Sequence, residues 1–186
     1  MKVLGISGSP RIGGNTDVLL EKALEGARSS GAETEKIILN SLNMVPCQEC
    51  VKVENDGTCQ IEDDFQNVYK SIKGADTVIL ASPIFFGSLS AQTKVMIDRF
   101  QCHWRYRYIL KKITEEKTRP GLLILVEAST RGSFLENAKS IVKNFFATAG
   151  LSYAGELLCQ GIDEKGAILS HPDLLDKATK LGKALL

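Results

Sequence analysis

The residues with chemistry in them fall into three short stretches. The first, Gly8-Ser9-Pro10-Arg11-Ile12-Gly13-Gly14-Asn15-Thr16, combines flexible glycines, hydroxyl donors and the start of a helix. Backbone N–H groups at a helix N-terminus point outward with partial positive charge, so this composition makes an anion site. Arg11 is its one formal charge, so a phosphate there would be held mainly by N–H and O–H dipoles. No Lys-Ser/Thr follows the glycines, as a Walker A loop needs, and no G-x-G-x-x-G is present for a dinucleotide. A glycine-rich turn followed by an N-cap is the plainer reading of the same residues. The second stretch, Ser82-Pro83-Ile84-Phe85-Phe86-Gly87-Ser88, sets two aromatic side chains where a loop is ordinarily polar. They read as walls for a flat ligand or as core residues covering a sheet edge. The third, Glu127-Ala128-Ser129-Thr130-Arg131-Gly132, adds small and hydroxyl residues. Together they describe a site for a mononucleotide carrying a flat polar ring.

The elements that must position these stretches alternate. Val3–Ser7, Thr34–Leu39, Thr77–Ala81, Leu122–Val126 and Tyr153–Cys159 are short runs that suit strands. Helices are expected after Asn15 or Thr16 as N-cap, over Ala91–Arg99, over Phe134–Thr148 and over Pro172–Ala184. Pro83 is expected to end the third strand, and Lys94 with Asp98 to pair at i,i+4. Strand–helix alternation means a doubly wound α/β fold with a parallel sheet and helices on both faces. Ligands of such sheets bind outside the carboxyl ends of the strands, where all three stretches fall.

Composition bounds the answer further. The 186 residues, 44% hydrophobic, suit one domain spanning 1–186. Lys+Arg 23 against Asp+Glu 22 leaves a formal charge of +1, with no global field to hold nucleic acid or an acidic membrane. The apolar runs are far too short to span a bilayer, and the N-terminus is too short and polar for a secretory signal. Five cysteines, an odd number, argue against a disulfide framework and for a reducing cytoplasm.

GISGSPRIGGNT and, about 70 residues on, ASPIFFGSLSAQTKVMIDRF resemble the flavodoxin-like NAD(P)H-dependent FMN reductase and iron–sulfur flavoprotein family. The resemblance implies a five-stranded sheet of order 2-1-3-4-5 and FMN with its phosphate at Ser9, Arg11, Asn15 and Thr16. The isoalloxazine would lie against Pro83, Ile84, Phe85, Phe86 and Gly87, closed by Ser129 or Thr130. Family members often carry Tyr where Phe85 or Phe86 stands. NAD(P)H would be the electron donor and a quinone, flavin or other small molecule the acceptor, in a homodimer or homotetramer. Flavin chemistry needs no protein acid or base, and no side chain is assigned a catalytic role. The alternative is a non-enzymatic electron carrier of the flavodoxin or iron–sulfur flavoprotein type, although flavodoxins are usually strongly acidic.

Cys47, Cys50 and Cys59 resemble the family's C-x2-C-x2-C-x4-7-C motif for a [4Fe–4S] cluster, but Val53 stands at the third ligand position. A cubane cluster takes four thiolates, so no cluster is expected and no metal site is assigned, although three thiolates could still bind zinc with a fourth donor such as Glu49 or Asp56. Cys102 and Cys159 read as core residues, too far away to replace the missing ligand. Arg99 to Tyr108 interleaves cations with aromatics, the mark of a protein interface, and the resemblance implies a subunit contact there. His103 and His171 have no partner at suggestive spacing.

Overall fold

A computed structural model describes residues 1–49, 57–113 and 118–185. In chain order the elements are β1 (Lys2–Ser7), α1 (Asn15–Ser29), β2 (Glu33–Ile38), α2 (Phe65–Gly74), β3 (Thr77–Phe85), β4 (Ser88–Leu89), α3 (Ala91–Asp98) and α4 (Gln101–Trp104). Then follow β5 (Arg119–Val126), α5 (Gly132–Ala149), β6 (Leu151–Cys159) and α6 (Pro172–Lys183). The parallel sheet runs β2-β1-β3-β5-β6, and β4 hangs antiparallel from the end of β3. The five long strands thus keep the expected 2-1-3-4-5 arrangement, with β4 as an unforeseen addition.

Residue alternation along the strands feeds two separate cores. Val3, Ile79, Leu122 and Ile124 pack with Leu19, Leu20, Ala23 and Leu24 of α1 and with Ala178 of α6. Leu4, Ile6, Val78, Leu80, Leu123 and Leu125 pack on the other side with α2, α3 and α5. β1 and β3 are neighbours, and the chain leaves them toward opposite edges, so the loops after them diverge and open a crevice.

Three local expectations change. Pro83 does not end β3: it sits opposite Val126, and the strand runs on to Phe85 because its partner changes from β5 to β4. Asn15 does not cap α1; Gly14 does, without a side-chain cap, because the Asn15 amide is engaged elsewhere. α2 was not foreseen, since Phe65, Val68 and Ile72 are a thin apolar stripe behind a polar, cysteine-rich tract. The Lys94–Asp98 pair forms at 2.7 Å.

Arg99 departs from its expected place in an exposed interface. Its side chain is wholly buried and pairs with Asp63 through both terminal nitrogens, at 2.7 and 3.0 Å. It also donates to the carbonyls of Val45 and Ile61 and, through Nε, to Cys59 Sγ at 3.1 Å, with its guanidinium over the Phe65 ring. Burial by itself would raise the Asp63 carboxyl; Arg99 and the Val45 and Phe65 N–H groups outweigh it and hold the group below its usual value.

Arg99→Ala takes the paired cation from the mostly buried Asp63 and leaves it, among the described residues, the Val45 and Phe65 N–H groups alone, so urea unfolding should show a loss of about 3 kcal/mol. With its native pKa lowered, Asp63 contributes stability that is complete above the ordinary carboxyl pKa of about 3.9 and is lost as pH falls through the native value. The gap between wild type and variant should therefore narrow in acid, down to the part due to the Val45 and Ile61 carbonyls, and a gap that persists unchanged to the lowest pH would contradict the pairing.

Candidate functional site

At the crevice, Ser9, Arg11, Asn15 and Thr16 line one side of a cleft of about 130 Å³, and Pro83, Ile84 and Phe85 line another. Val126, Ala128, Ile162 and Asp163 complete it. The structure therefore brings the first two stretches together. Phe86, Gly87, Ser129 and Thr130 do not line the cleft. Phe86 and Gly87 form the two-residue turn between β3 and β4, both with positive φ (50° and 75°), as in the mirror-image turns that suit hairpin twist. This turn leaves Phe86 fully exposed. Asn137 pins it by donating to the Gly87 carbonyl at 2.7 Å. Ser129 Oγ accepts from the Arg131 N–H at 3.0 Å, a local turn.

The phosphate-loop candidate is held from three directions. Asp17, in the first turn of α1, accepts from the Gly13 N–H at 2.9 Å and pairs with Lys36 of β2 at 2.8 Å. Burial by itself would raise its carboxyl; Lys36, the Gly13 N–H and the Ser7 hydroxyl hold it below its usual value. Asn15 donates to the Glu164 carbonyl at 2.8 Å and accepts from the Gly166 and Ile168 N–H groups. Arg11 donates to the Asp163 carbonyl at 3.0 Å. What Asn15 and Thr16 offer an anion is then their first-turn N–H groups, which have no intrahelical acceptor, with the Thr16 hydroxyl. The loop after β6 was missed at the sequence level. Gly161 and Gly166, both at positive φ, were its available signal.

The third tie is buried. Ser90 Oγ donates to the Gly8 carbonyl at 2.6 Å, and the single Thr93 hydroxyl proton is offered either to Ser90 Oγ, 2.9 Å away, or to Ser82 Oγ, 3.2 Å away. Gly8 in turn donates to the Ala81 carbonyl at 2.8 Å. A Cβ on Gly8 would stand 1.8 Å from Thr93 Oγ1, so only glycine fits.

Of the cysteine tract, Cys50, Val53 and Asp56 lie outside the described residues. Among those described, Cys59 accepts from Arg99, and no three potential ligands are grouped to hold a metal. Cys102 is nearer than expected. Burial first, then the charges of Cys59 and Cys47, push its thiol up to about 12. Arg99 explains the approach, since it ties the start of α4 to residues 45, 59, 61 and 63. His103 also has a partner, Tyr69, whose hydroxyl lies 3.1 Å from Nδ1.

A doubly wound sheet whose switch point carries an unlinked helix N-terminus beside an apolar hairpin defines a flavodoxin-like mononucleotide-binding protein. Comparison makes this specific. Residues 1–152 match the family described as NADPH-dependent FMN reductase. An iron–sulfur flavoprotein of Methanocaldococcus jannaschii is 36% identical over 156 residues, 84% of this chain and 77% of that one. A Bacillus subtilis protein named as an NAD(P)H-dependent FMN-containing oxidoreductase is 27% identical over 98% of this chain and 97% of its own. The solved NAD(P)H:quinone oxidoreductase of Methanothermobacter marburgensis superposes with a TM-score of 0.70 over 100% of this chain and 96% of that one; at 16% identity it speaks for the fold alone. The chain belongs to the NADPH-dependent FMN reductase family, as an oxidoreductase using FMN and NAD(P)H.

Gly8→Ala should lower the melting temperature and weaken FMN binding, because its methyl group displaces Thr93 and with it the knot. Thr93→Ala opens the space the methyl needs, so the double variant should be less unstable than the two single losses summed, by about 0.5–3 kcal/mol. Strictly additive losses would show that the two positions do not meet.

Proposed function

We propose that residues 1–186 form one FMN-binding unit, with the phosphate at Ser9, Arg11 and the first turn of α1, and the ring toward Pro83, Ile84 and Phe85. The observation that carries this is the joint lining of one cleft by the phosphate-loop residues and the β3 end. When bound, FMN supplies the two-electron chemistry, accepting hydride from NAD(P)H and reducing a second molecule. The protein's part is to hold the phosphate by dipoles, to set the ring against the hairpin and to leave one side open. Ser129, Thr130, Phe86 and Gly87 lie outside the cleft lining, so their contribution requires the ring to extend past it. Phe85 and Phe86, both exposed, give that open side an apolar, aromatic character suited to a small planar acceptor such as a quinone or a second flavin. No membrane-spanning helix occurs among the described residues, and the thiols suit a reducing compartment.

A second reading, an iron–sulfur flavoprotein that relays electrons, follows from the names of the archaeal relatives. The residues present fit a cubane cluster poorly, because Val53 stands at a thiolate position and Cys59 accepts from the buried Arg99. Protein purified without oxygen should show a flavin spectrum, release FMN rather than FAD, and bleach on anaerobic mixing with NADH or NADPH. Iron and acid-labile sulfide should be absent. Stoichiometric iron and sulfide, with no bleaching by either nucleotide, would replace the first reading by the second.

The cleft is smaller than the roughly 300–1,000 Å³ usual for ligand sites, so a second copy covering the flavin edge fits the family resemblance. Trp104, Tyr108, Ile109 and Leu110 are exposed together around the end of α4. Beside them a groove of about 240 Å³ runs between α3, α4 and α5, floored by Ile97, Phe100 and Phe145. Sedimentation at micromolar concentration should show at least a dimer, shifted toward monomer in Trp104→Ala. A monomeric wild type would remove this part of the proposal.

A further inference from the structure

Glu127 is a buried acidic group that neither the fold nor the phosphate cradle accounts for. It is 2% exposed, it accepts from Gln160 Nε2 through Oε1 at 2.6 Å, and its Oε2 has no hydrogen-bond partner among the described residues. Burying a carboxyl with one oxygen unsatisfied costs stability, and an apolar side chain of similar size would avoid the cost. Its position is informative. The residues on either side of it, Val126 and Ala128, line the cleft. So does Ile162, whose N–H donates to the Glu127 carbonyl at 3.1 Å. The Glu127 backbone is thus part of the cleft wall, and its side chain, outside the lining, is shielded from solvent, where a charge is poorly screened.

We propose that Glu127 sets the redox balance of the site: its negative charge makes the protein hold reduced FMN less tightly, relative to oxidised FMN, than a neutral residue would. The inference rests on the FMN reading of the cleft. Hydride transfer from NAD(P)H moves two electrons and one proton onto the flavin, leaving NAD(P)+ and a ring with one more negative charge. No bond to Glu127 forms or breaks. A like charge nearby disfavours the more negative form, so the carboxylate lowers the midpoint potential and makes the bound flavin a stronger reductant. Gln160 holds the carboxylate in place, and the vacant lone pairs of Oε2 leave its charge only partly offset.

The test compares wild type with Glu127→Gln, which keeps the shape and an acceptor for Gln160 but removes the charge. Dissociation constants for oxidised and for dithionite-reduced FMN are measured anaerobically on both, together with melting temperatures without flavin. The ratio of reduced to oxidised dissociation constants should fall about tenfold in the variant, equal to a rise of about 30 mV for a two-electron couple. The melting temperature should not fall. Glu127→Met, apolar and similar in volume, should move the ratio the same way and serves if the amide variant does not fold. A merely structural role would change both dissociation constants together, and an unchanged ratio in a folded variant overturns the proposal. Wild-type protein that binds neither form of FMN overturns the flavin reading itself, a different result from an unchanged ratio.

Discussion

The geometry of the cleft depends on a knot of hydroxyl groups buried between the phosphate loop and the hairpin. Ser82, Ser90 and Thr93 come from the end of β3 and the start of α3, and through Ser90 they grip the carbonyl of Gly8 at the end of β1. All three are fully buried, where each unmade bond costs about 1–3 kcal/mol. The knot is therefore stable only when complete, and when complete it fixes the loop that would hold the phosphate relative to the strand end that would hold the ring. Ser90 is also the N-cap of α3, accepting from the Thr93 N–H, so helix start and loop position are one constraint.

A second frame holds the far side of the same helix. Arg99 follows α3 directly and gathers Val45, Cys59, Ile61 and Asp63 around one guanidinium. Bidentate pairing with carboxylate and carbonyls uses the planar donor fork that lysine lacks. A rigid α3 thus connects the hydroxyl knot at its N-terminus to the described ends of the cysteine tract at its C-terminus. Cys102, one turn further on, is brought near Cys59 and Cys47 as a consequence, and its thiol is suppressed by burial and by their charge.

What was legible in the sequence followed local rules. The central strands were visible because buried parallel strands read as continuous apolar runs, and the loop before α1 stood out as an anion-site candidate because its glycines and hydroxyls precede a helix. What stayed hidden depends on partners distant in the chain. Asn15 bonds residues about 150 positions away, so its polar amide reads locally as a cap, while in the fold it stitches the loop after β6 over the cleft. Arg99 reads as one of a row of interface cations until the chain folds Asp63 against it. Pro83 reads as a stop, because a missing N–H normally ends pairing, yet the strand continues by exchanging β5 for a hairpin partner. Phe86 belongs to an aromatic pair in sequence, but a turn with two positive φ angles separates it from Phe85.

The distribution of charge around the cradle bears on how it would hold an anion at all. Asp17 lies under the phosphate loop, where a carboxylate should repel a phosphate, yet Lys36 and the Gly13 N–H neutralise it and use it to shape the loop. Arg11 directs a nitrogen to the Asp163 carbonyl, so its charge is anchored at the cleft lining. With side-chain charges paired or tethered, the field offered to a phosphate comes chiefly from the α1 N-terminus, whose dipoles are fixed before the ligand arrives. Such a site needs little reorganisation to bind. The formal charges in the cleft lining are few, Arg11 and Asp163, so one buried acidic side chain such as Glu127 can weigh on the charge state of whatever ring lies beyond the wall.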